Sequence, residues 1–372
     1  MRRIIIIVVI IFFISPLSGQ KTWSLEECIR YAVDNNLDLK QSVFNAQIAD
    51  QKYKQEKWNM MPQIGASSEM YYYAGRYVDP LTNTIVTSPN YYNTYNLGAT
   101  VNLFSGFMRQ NMISYLKYRK EAAENSMLGS TDELAFSVMN SYFNVLFYKE
   151  LLKITEDQKH LSEINLRKTE VLVNTGLKAT TDLLEMKANL EKDELTCLQT
   201  ENLLSGAWIS LHKAMNLSAD STITLTYPVS QSPELPEGEL NTGSLYESYS
   251  SWSPQIKSAE QEWKASRKNI AVSRGAFVPV LDAGASVYSS VTLNNATDFS
   301  RQLRENEKQY AGLTLTVPLF SRRQNITNVK LAKLGYASAT ANLDAARQNL
   351  YFEVLTNVND LKAAESEFAQ AR

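Results

Sequence analysis

The feature of this sequence that most limits its fold is an internal duplication. Leu39-Lys40-Gln41 is followed about twenty residues later by Pro62, and Ile256-Lys257-Ser258 is followed at the same spacing by Pro279. Further along, VNLFS at 101–105 matches VPLFS at 317–321 with almost the same offset. Ser24-Leu25 and Ser244-Leu245 open the two copies. Each copy has the pattern helix, strand, loop, strand, helix, so the sequence predicts one structural unit built twice.

The distribution of proline predicts unusually long helices. No proline falls between Pro89 and Pro228, and none follows Pro318. Proline inside a helix removes a hydrogen bond and clashes with the preceding turn, so tracts of this kind favour long helices. We expect shorter helices at 37–59 and 254–274. A helix of about 65 residues at 106–174 would be on the order of 100 Å long.

A turn and a return helix follow the long helix. Gly176 suits the left-handed end of a helix, and Thr180, Thr181 and Asp182 are candidates to cap the next one. That next helix repeats apolar residues every seven positions, which indicates coiled-coil packing. The repeated residues are Leu183, Leu190, Cys197, Leu204 and Leu211. A soluble helical hairpin and a helical wall that projects from a membrane domain both fit this pattern.

Four segments alternate apolar with small polar residues: 64–72, 96–104, 281–288 and 311–319. Such alternation fits a transmembrane strand, with apolar side chains toward lipid, and equally a half-buried soluble sheet. On the membrane interpretation the lipid-facing residues are Leu97, Val101, Leu281, Val287, Leu313, Leu315 and Val317. Glu69 and Asp282 fall on the opposite, lumen-facing side, where they would favour cations or would simply be solvated carboxylates.

The N-terminus favours the membrane interpretation, because Arg2 and Arg3 precede an apolar run at 4–14 and small residues near 18–19. This is typical of a secretory signal peptide, predicted at 1–19, and it is too short to span a bilayer. Tyrosines crowd the strand ends, as in the aromatic girdle of a membrane barrel. They are Tyr71, Tyr72, Tyr73, Tyr77, Tyr91, Tyr92 and Tyr95.

Later segments contain no run of apolar residues long enough for a membrane helix, so membrane insertion would require a closed β-barrel. Four strands are too few to close one, and the chain would therefore have to oligomerise. We expect strand pairs at 63–104 and 279–320, with exposed loops at 75–94 and 290–309.

Other classes of function find little support. The formal charge of -2 argues against nucleic acid as a partner. His160 and His212 stand alone, and no phosphate-binding loop, nucleophile motif or metal-ligand spacing occurs. Cys28 and Cys197 are not expected to form a disulfide. We therefore expect no enzyme activity, no catalytic residue, no metal and no cofactor.

From Ser24 onward the chain resembles the TolC family of outer-membrane efflux proteins. The resemblance rests on the duplication, on Val101–Gly106 and on the stretch from Asn174 to Leu184. It implies an α+β membrane protein in which three protomers with four strands each form a twelve-stranded barrel, continued by a long α-helical coiled-coil tunnel. The implied location is the outer membrane, with the helices in the periplasm.

The resemblance also implies a function and a division of the chain. The protomer would form a passive exit duct for tripartite efflux or type I secretion, in contact with lipid, exported substrate, a periplasmic adaptor and an inner-membrane pump. The adaptor-docking tip would comprise Asn174, Thr175, Gly176, Leu177 and Thr181. Around the two strand pairs lie helical segments at 20–62, 105–216, 244–278 and 321–372, and an equatorial linker at 217–243.

Two alternatives remain: a soluble periplasmic coiled-coil adaptor and a non-conducting, truncated copy of such a channel. By the repeat offset, Arg372 corresponds to Glu156, so we expect that about 60 residues equivalent to 157–216 are absent. The gate residues of the periplasmic mouth are expected in that part, beyond Arg372.

Overall fold

A computed structural model describes residues 22–78, 83–87, 89–218, 220–227, 241–292 and 297–371. The expected signal peptide, much of the expected linker at 217–243 and Arg372 lie outside these residues. Contacts divide the chain into two units. The first comprises 1–43 and 127–239, and the second comprises 44–126 and 240–372.

The described residues form eight helices and eight strands. The helices are α1 (Leu25–Asn35), α2 (Leu37–Trp58), α3 (Met108–Asn174), α4 (Thr180–Met215), α5 (Thr242–Trp252), α6 (Pro254–Gly275), α7 (Phe299–Glu305) and α8 (Gln324–Ala371). The strands are β1 (Thr22–Trp23), β2 (Gln63–Tyr73), β3 (Arg76–Val78), β4 (Ile85–Thr87), β5 (Asn90–Phe104), β6 (Thr224–Leu225), β7 (Val280–Thr292) and β8 (Lys308–Thr316). Within these residues, no helix has both the length and the apolar content that crossing a membrane requires.

The element lengths confirm the duplication. Helices α1 and α5 both have 11 residues, and α2 and α6 both have 22. The second copy opens differently from the expected Ser244. Ser24 caps α1 in a capping box with Glu27, whereas Asn241 caps α5 by accepting from the Gly243 and Ser244 amides. Because the cap has moved to Asn241, α5 begins three residues before Leu245.

The two hairpins of the duplication form one antiparallel sheet in the order β2-β5-β7-β8. Strands β5 and β7 join the copies, from Tyr92 opposite Thr292 to Phe104 opposite Leu281. The register shifts between Asn102 and Phe104, which places a bulge at Leu103, near the end of β5. Within the described residues, β2 and β8 each have a strand neighbour on one side only.

The predicted loops are more structured than expected. The segment 75–94 contains the hairpin β3–β4 and the first five residues of β5, which begins at Asn90 rather than at the expected residue 96. The polar sequence NYYNTYN gave no apolar alternation to indicate this earlier start, although tyrosine and threonine have high strand propensity. The segment 290–309 contains the end of β7 and all of α7, which Asp298 caps by accepting from the Ser300 amide.

Strand β8 ends earlier than expected. Its last residue is Thr316, so Val317 lies beyond the strand rather than within it. Pro318 follows closely, and proline has no N–H to donate to a strand ladder. The expectation that the strand extends to Val317 is therefore wrong. Its side chain is half exposed, and its contact with lipid stays a prediction.

The first unit has a compact core where α1, α3 and α4 meet the two-stranded parallel sheet β1–β6. Tyr142 is its largest fully buried side chain, and its hydroxyl donates to the backbone carbonyls of Trp23 and Thr226. A buried tyrosine hydroxyl needs such partners, and here it ties α3 to both short strands. Cys28 and Cys197 are both buried and free.

The second unit is held by helix contacts and ion pairs. Lys120 lies 2.9 Å from Asp50, and Arg119 lies 2.7 Å from Glu262. Lys54, together with Lys120, holds the pKa of the Asp50 carboxyl below its usual value. These side chains are partly exposed, so each pair contributes little to stability and acts mainly on helix alignment.

Candidate functional site

The sheet sorts its side chains into two chemically distinct faces. Residues opposite each other in an antiparallel pair share a face, so the register can be followed across all four strands. Leu97 lies opposite Val287, Ala283 opposite both Val101 and Leu313, and Leu281 opposite Leu315. The register therefore brings six of the seven predicted lipid-facing residues onto one apolar face.

This apolar face is largely uncovered. Leu313 and Leu315 are 67% and 65% exposed, and Ile64 on the edge strand is 72% exposed. Val101 and Leu281 are half-buried between their neighbours. Soluble monomers rarely leave a continuous apolar surface of this kind in water, because the hydrophobic effect favours its burial. The face is thus suited to contact with lipid or another apolar surface.

The opposite face is polar and carries both predicted lumen carboxylates at different levels. Glu69 is level with Thr94 and Ser290, whereas Asp282 lies eight residues before Ser290 on β7. At about 3.4 Å per residue this separates them by about 27 Å, so they do not form one site. Lys308, opposite Tyr288, lies on the same face. Because charges of both signs occur there, a preference for cations stays a prediction.

Asp282 lies in a pocket of about 840 Å³ at the end of the sheet where helix α2 ends and helix α3 begins. Its carboxylate accepts a hydrogen bond of 2.8 Å from Asn102. Arg109 also lines the pocket and lies 3.8 Å from Glu56. Gln55, Gln63, Asn59 and Thr314 complete a mainly polar wall. The pocket offers a polar, charged surface to any solute that passes along this face.

The tyrosines at the other end of the sheet divide between the faces. Tyr72 and Tyr91 lie on the apolar face with their ring centroids 5.1 Å apart, and Tyr95 shares that face. Tyr71 and Tyr92, which lie opposite each other, are on the polar face, and so is Tyr73. These three rings therefore do not share one girdle with Tyr72 and Tyr91, because consecutive residues in a strand point to opposite sides.

The predicted docking tip is a well-formed helix end in the first unit. Gly176 has φ +74°, and its amide donates to Val173 while the Leu177 amide donates to Leu172. These two bonds define a Schellman motif, which requires a left-handed residue at the glycine position. The Thr175 hydroxyl donates to the Val171 carbonyl at 3.0 Å. Leu177 is 74% exposed, so the turn presents an apolar side chain.

The return helix starts differently from the expectation. Its cap residue is Ala179, which has no side-chain cap bond, so Thr180, Thr181 and Asp182 form the first turn instead. Asp182 still favours this end through the helix dipole. The heptad faces inward as predicted, with Cys197 and Leu211 buried. The Ser162 hydroxyl donates to Asp193 at 2.5 Å across the hairpin.

Among the described residues, no group of three or more His, Cys, Asp and Glu side chains is placed to hold a metal ion. The architecture instead consists of a duplicated hairpin sheet, polar on one face and apolar on the other, with each hairpin leading into a long helix. These features together define the fold of an outer-membrane channel.

Comparison with known proteins identifies the family. The profile of the outer membrane efflux protein family matches residues 28–217 and 245–372, and the chain belongs to this family. Outer membrane protein TolC of Escherichia coli is 22% identical over 351 residues, an alignment that covers 89% of this chain and 66% of TolC. The outer membrane protein VceC of Vibrio cholerae superposes with a TM-score of 0.76 at 14% identity, covering 93% of this chain and 80% of VceC.

The CmeC outer membrane channel of Campylobacter jejuni superposes equally well. Its TM-score is 0.76 at 17% identity, covering 93% of this chain and 74% of CmeC. These likenesses confirm the predicted family and the predicted fold of a sheet continued by long helices. The site residues are not tested by them and stay predictions.

Proposed function

We propose that this chain is one protomer of an outer-membrane channel that gives exported solutes a passive exit duct. The observation that carries the proposal is the sheet, whose continuous apolar face is exposed while its other face is polar. A sheet of this kind separates lipid from an aqueous path when it closes on itself.

Closure requires further copies of the chain. The unpaired backbone groups of β2 and β8 would be costly in hydrocarbon, where no water is present to satisfy them. Pairing β8 of one copy with β2 of the next removes both edges. Three copies give twelve strands, which is within the known range of membrane barrels. The partner for assembly is therefore a second and third copy of this chain.

The helices supply the second part of the duct. Helix α3 has 67 residues, and at 1.5 Å per residue it is about 100 Å long. We infer that α3 and α4 form part of a periplasmic wall. The exposed Leu177 and the Schellman turn at Gly176 would then meet a periplasmic adaptor, through which an inner-membrane pump delivers the solute. The energy for export is supplied by that pump, and this chain performs no chemistry.

A pair of neighbouring substitutions tests insertion in the membrane. Leu313→Arg places a charge on the apolar face, which costs about 2–4 kcal/mol near the bilayer centre. We expect this variant to be lost from the outer-membrane fraction. Thr314→Arg places the same charge one residue away on the polar face and should be recovered at the wild-type level. Equal recovery of both variants would contradict the assignment of the faces.

The assembled state tests the duct itself. Detergent-extracted protein should have the mass of three chains, each lighter than 42.0 kDa by the predicted signal peptide. It should conduct ions in a planar bilayer without added nucleotide. Recovery of a monomer from the soluble fraction would favour a periplasmic adaptor instead. A trimer that inserts but never conducts would favour a non-conducting channel homologue.

A further inference from the structure

A cluster of tyrosine rings lies on the polar face at the loop end of the sheet. Tyr73 is at its centre, with ring centroids 6.1 Å from Tyr71, 6.3 Å from Tyr92 and 6.0 Å from Tyr77 of the β3–β4 hairpin. The Tyr92 hydroxyl lies 3.0 Å from the hydroxyl of Tyr288, so β7 joins the cluster as the third strand of the main sheet. Tyr71, Tyr73 and Tyr92 point away from the apolar face of the sheet, so their rings are not part of the predicted lipid-facing surface.

The cluster borders a cavity of about 310 Å³ that is lined by Tyr73, Tyr77, Val78, Asn90 and Tyr92. This is the size of a site for a small molecule. Asn90 is only 2% exposed, and its side-chain oxygen accepts no hydrogen bond from any residue that the structure describes. A buried carbonyl oxygen without a donor is unfavourable, so this oxygen is poised to accept one from a ligand.

The lining specifies the chemistry of that ligand. It offers three tyrosine rings and one acceptor oxygen, and among the described residues that line the cavity there is no lysine or arginine. Ring faces carry partial negative charge and attract cations. Glu69 lies on the same face, and the Tyr71 hydroxyl donates to it. A compact cation with at least one N–H group satisfies both the rings and the Asn90 oxygen.

We propose that this cavity, named here the tyrosine site, binds small protonated amines. Its role as a contact for cationic solutes near the exit of the duct rests on the proposed function. Binding itself requires only the folded protein. A quaternary ammonium ion retains the charge but has no N–H for Asn90, and a neutral alcohol has a donor but no charge.

Calorimetric titration of the detergent-purified full chain tests the proposal with three probes of similar size. We expect propylammonium to bind at least five-fold more tightly than tetramethylammonium or propanol. Asn90→Leu should remove this preference over tetramethylammonium, because it deletes the acceptor while preserving side-chain size. Tyr73→Leu should weaken propylammonium binding about ten-fold, as expected for the loss of about 1.4 kcal/mol of cation–ring attraction.

Tyr72→Leu is the matched control, because it removes the neighbouring ring from the opposite face. This variant should bind propylammonium like the wild type. Equal weakening by Tyr72→Leu and Tyr73→Leu would overturn the tyrosine site. Propanol binding as tightly as propylammonium would also overturn it, in favour of a neutral polar ligand. A protein that conducts ions but binds no propylammonium refutes this inference alone, whereas one that binds it but forms no channel refutes only the proposed function.

Discussion

Gly106 gives the sharpest test of how the sheet is joined to its helices. This residue lies in the turn between β5 and α3 and has φ +62°. A Cβ at this position would lie 2.6 Å from the Cβ of Val278 and 3.1 Å from the Gly275 carbonyl oxygen. Real Cβ atoms do not approach other atoms that closely, so Gly106→Ala requires the turn or Val278 to move.

Two contributions determine the expected loss of stability. A left-handed conformation costs an L residue about 1–2 kcal/mol. Overpacking against the Cβ of Val278 adds about 1–3 kcal/mol. The sum is about 2–5 kcal/mol, which lowers the thermal midpoint by roughly 4–20 °C at about 2–4 °C per kcal/mol. Circular dichroism at 222 nm on detergent-purified protein would measure this change.

Two alanine substitutions separate the contributions. Gly176 also has positive φ, but a Cβ there meets no atom within 4 Å, so Gly176→Ala should lose only the conformational part. Gly335 lies within helix α8 with the same open space, and Gly335→Ala should be neutral or stabilising by up to about 1 kcal/mol. A Gly106→Ala midpoint equal to that of Gly176→Ala would refute the close contact with Val278.

Three further predictions concern the turns and the buried thiol. Gly176→Val should reduce solute export in the native host at unchanged outer-membrane levels, whereas Gly176→Asn should retain it, because asparagine tolerates the left-handed conformation; equal export by both would remove the turn from the docking tip. Arg322 has φ +47° at the position that corresponds to Gly106 in the duplication, so Arg322→Gly should raise the free energy of unfolding by about 1 kcal/mol in chemical denaturation, and a loss would contradict strain there. Burial, with a smaller effect from Glu27, raises the pKa of the Cys28 thiol to about 11. In a Cys197→Ser background, alkylation at pH 8 should be more than about 100-fold slower in the folded than in the unfolded chain, since so little reactive thiolate is present. Because the folded state disfavours the thiolate, this group's effect on stability should become unfavourable as pH rises above the ordinary thiol pKa and level off above about 11. Equal alkylation rates would refute the burial of the thiol.

The sequence predicted the two faces of the sheet because strand side chains alternate with a period of two. It also placed Tyr71 and Tyr72 on opposite faces, and only the interpretation of all the tyrosines as one girdle overlooked that alternation. The hairpin β3–β4 and helix α7 were missed because short elements in polar loops have no sustained periodicity. Their signals were the cap residue Asp298 and the β-branched run Ile85–Thr87.

By itself the sequence determined the duplicated unit, the long helices and the apolar or polar character of each strand face. These are local properties, set by proline positions and by side-chain periodicity within a segment. Only the tertiary structure decided what lies beside what: Glu69 and Asp282 fall at separate levels, Lys308 shares their face, and Asn90 is buried beside the rings of Tyr73 and Tyr92. Those relations depend on the register between strands that are up to about 200 residues apart in the chain, and hydrogen bonding between the strands sets that register.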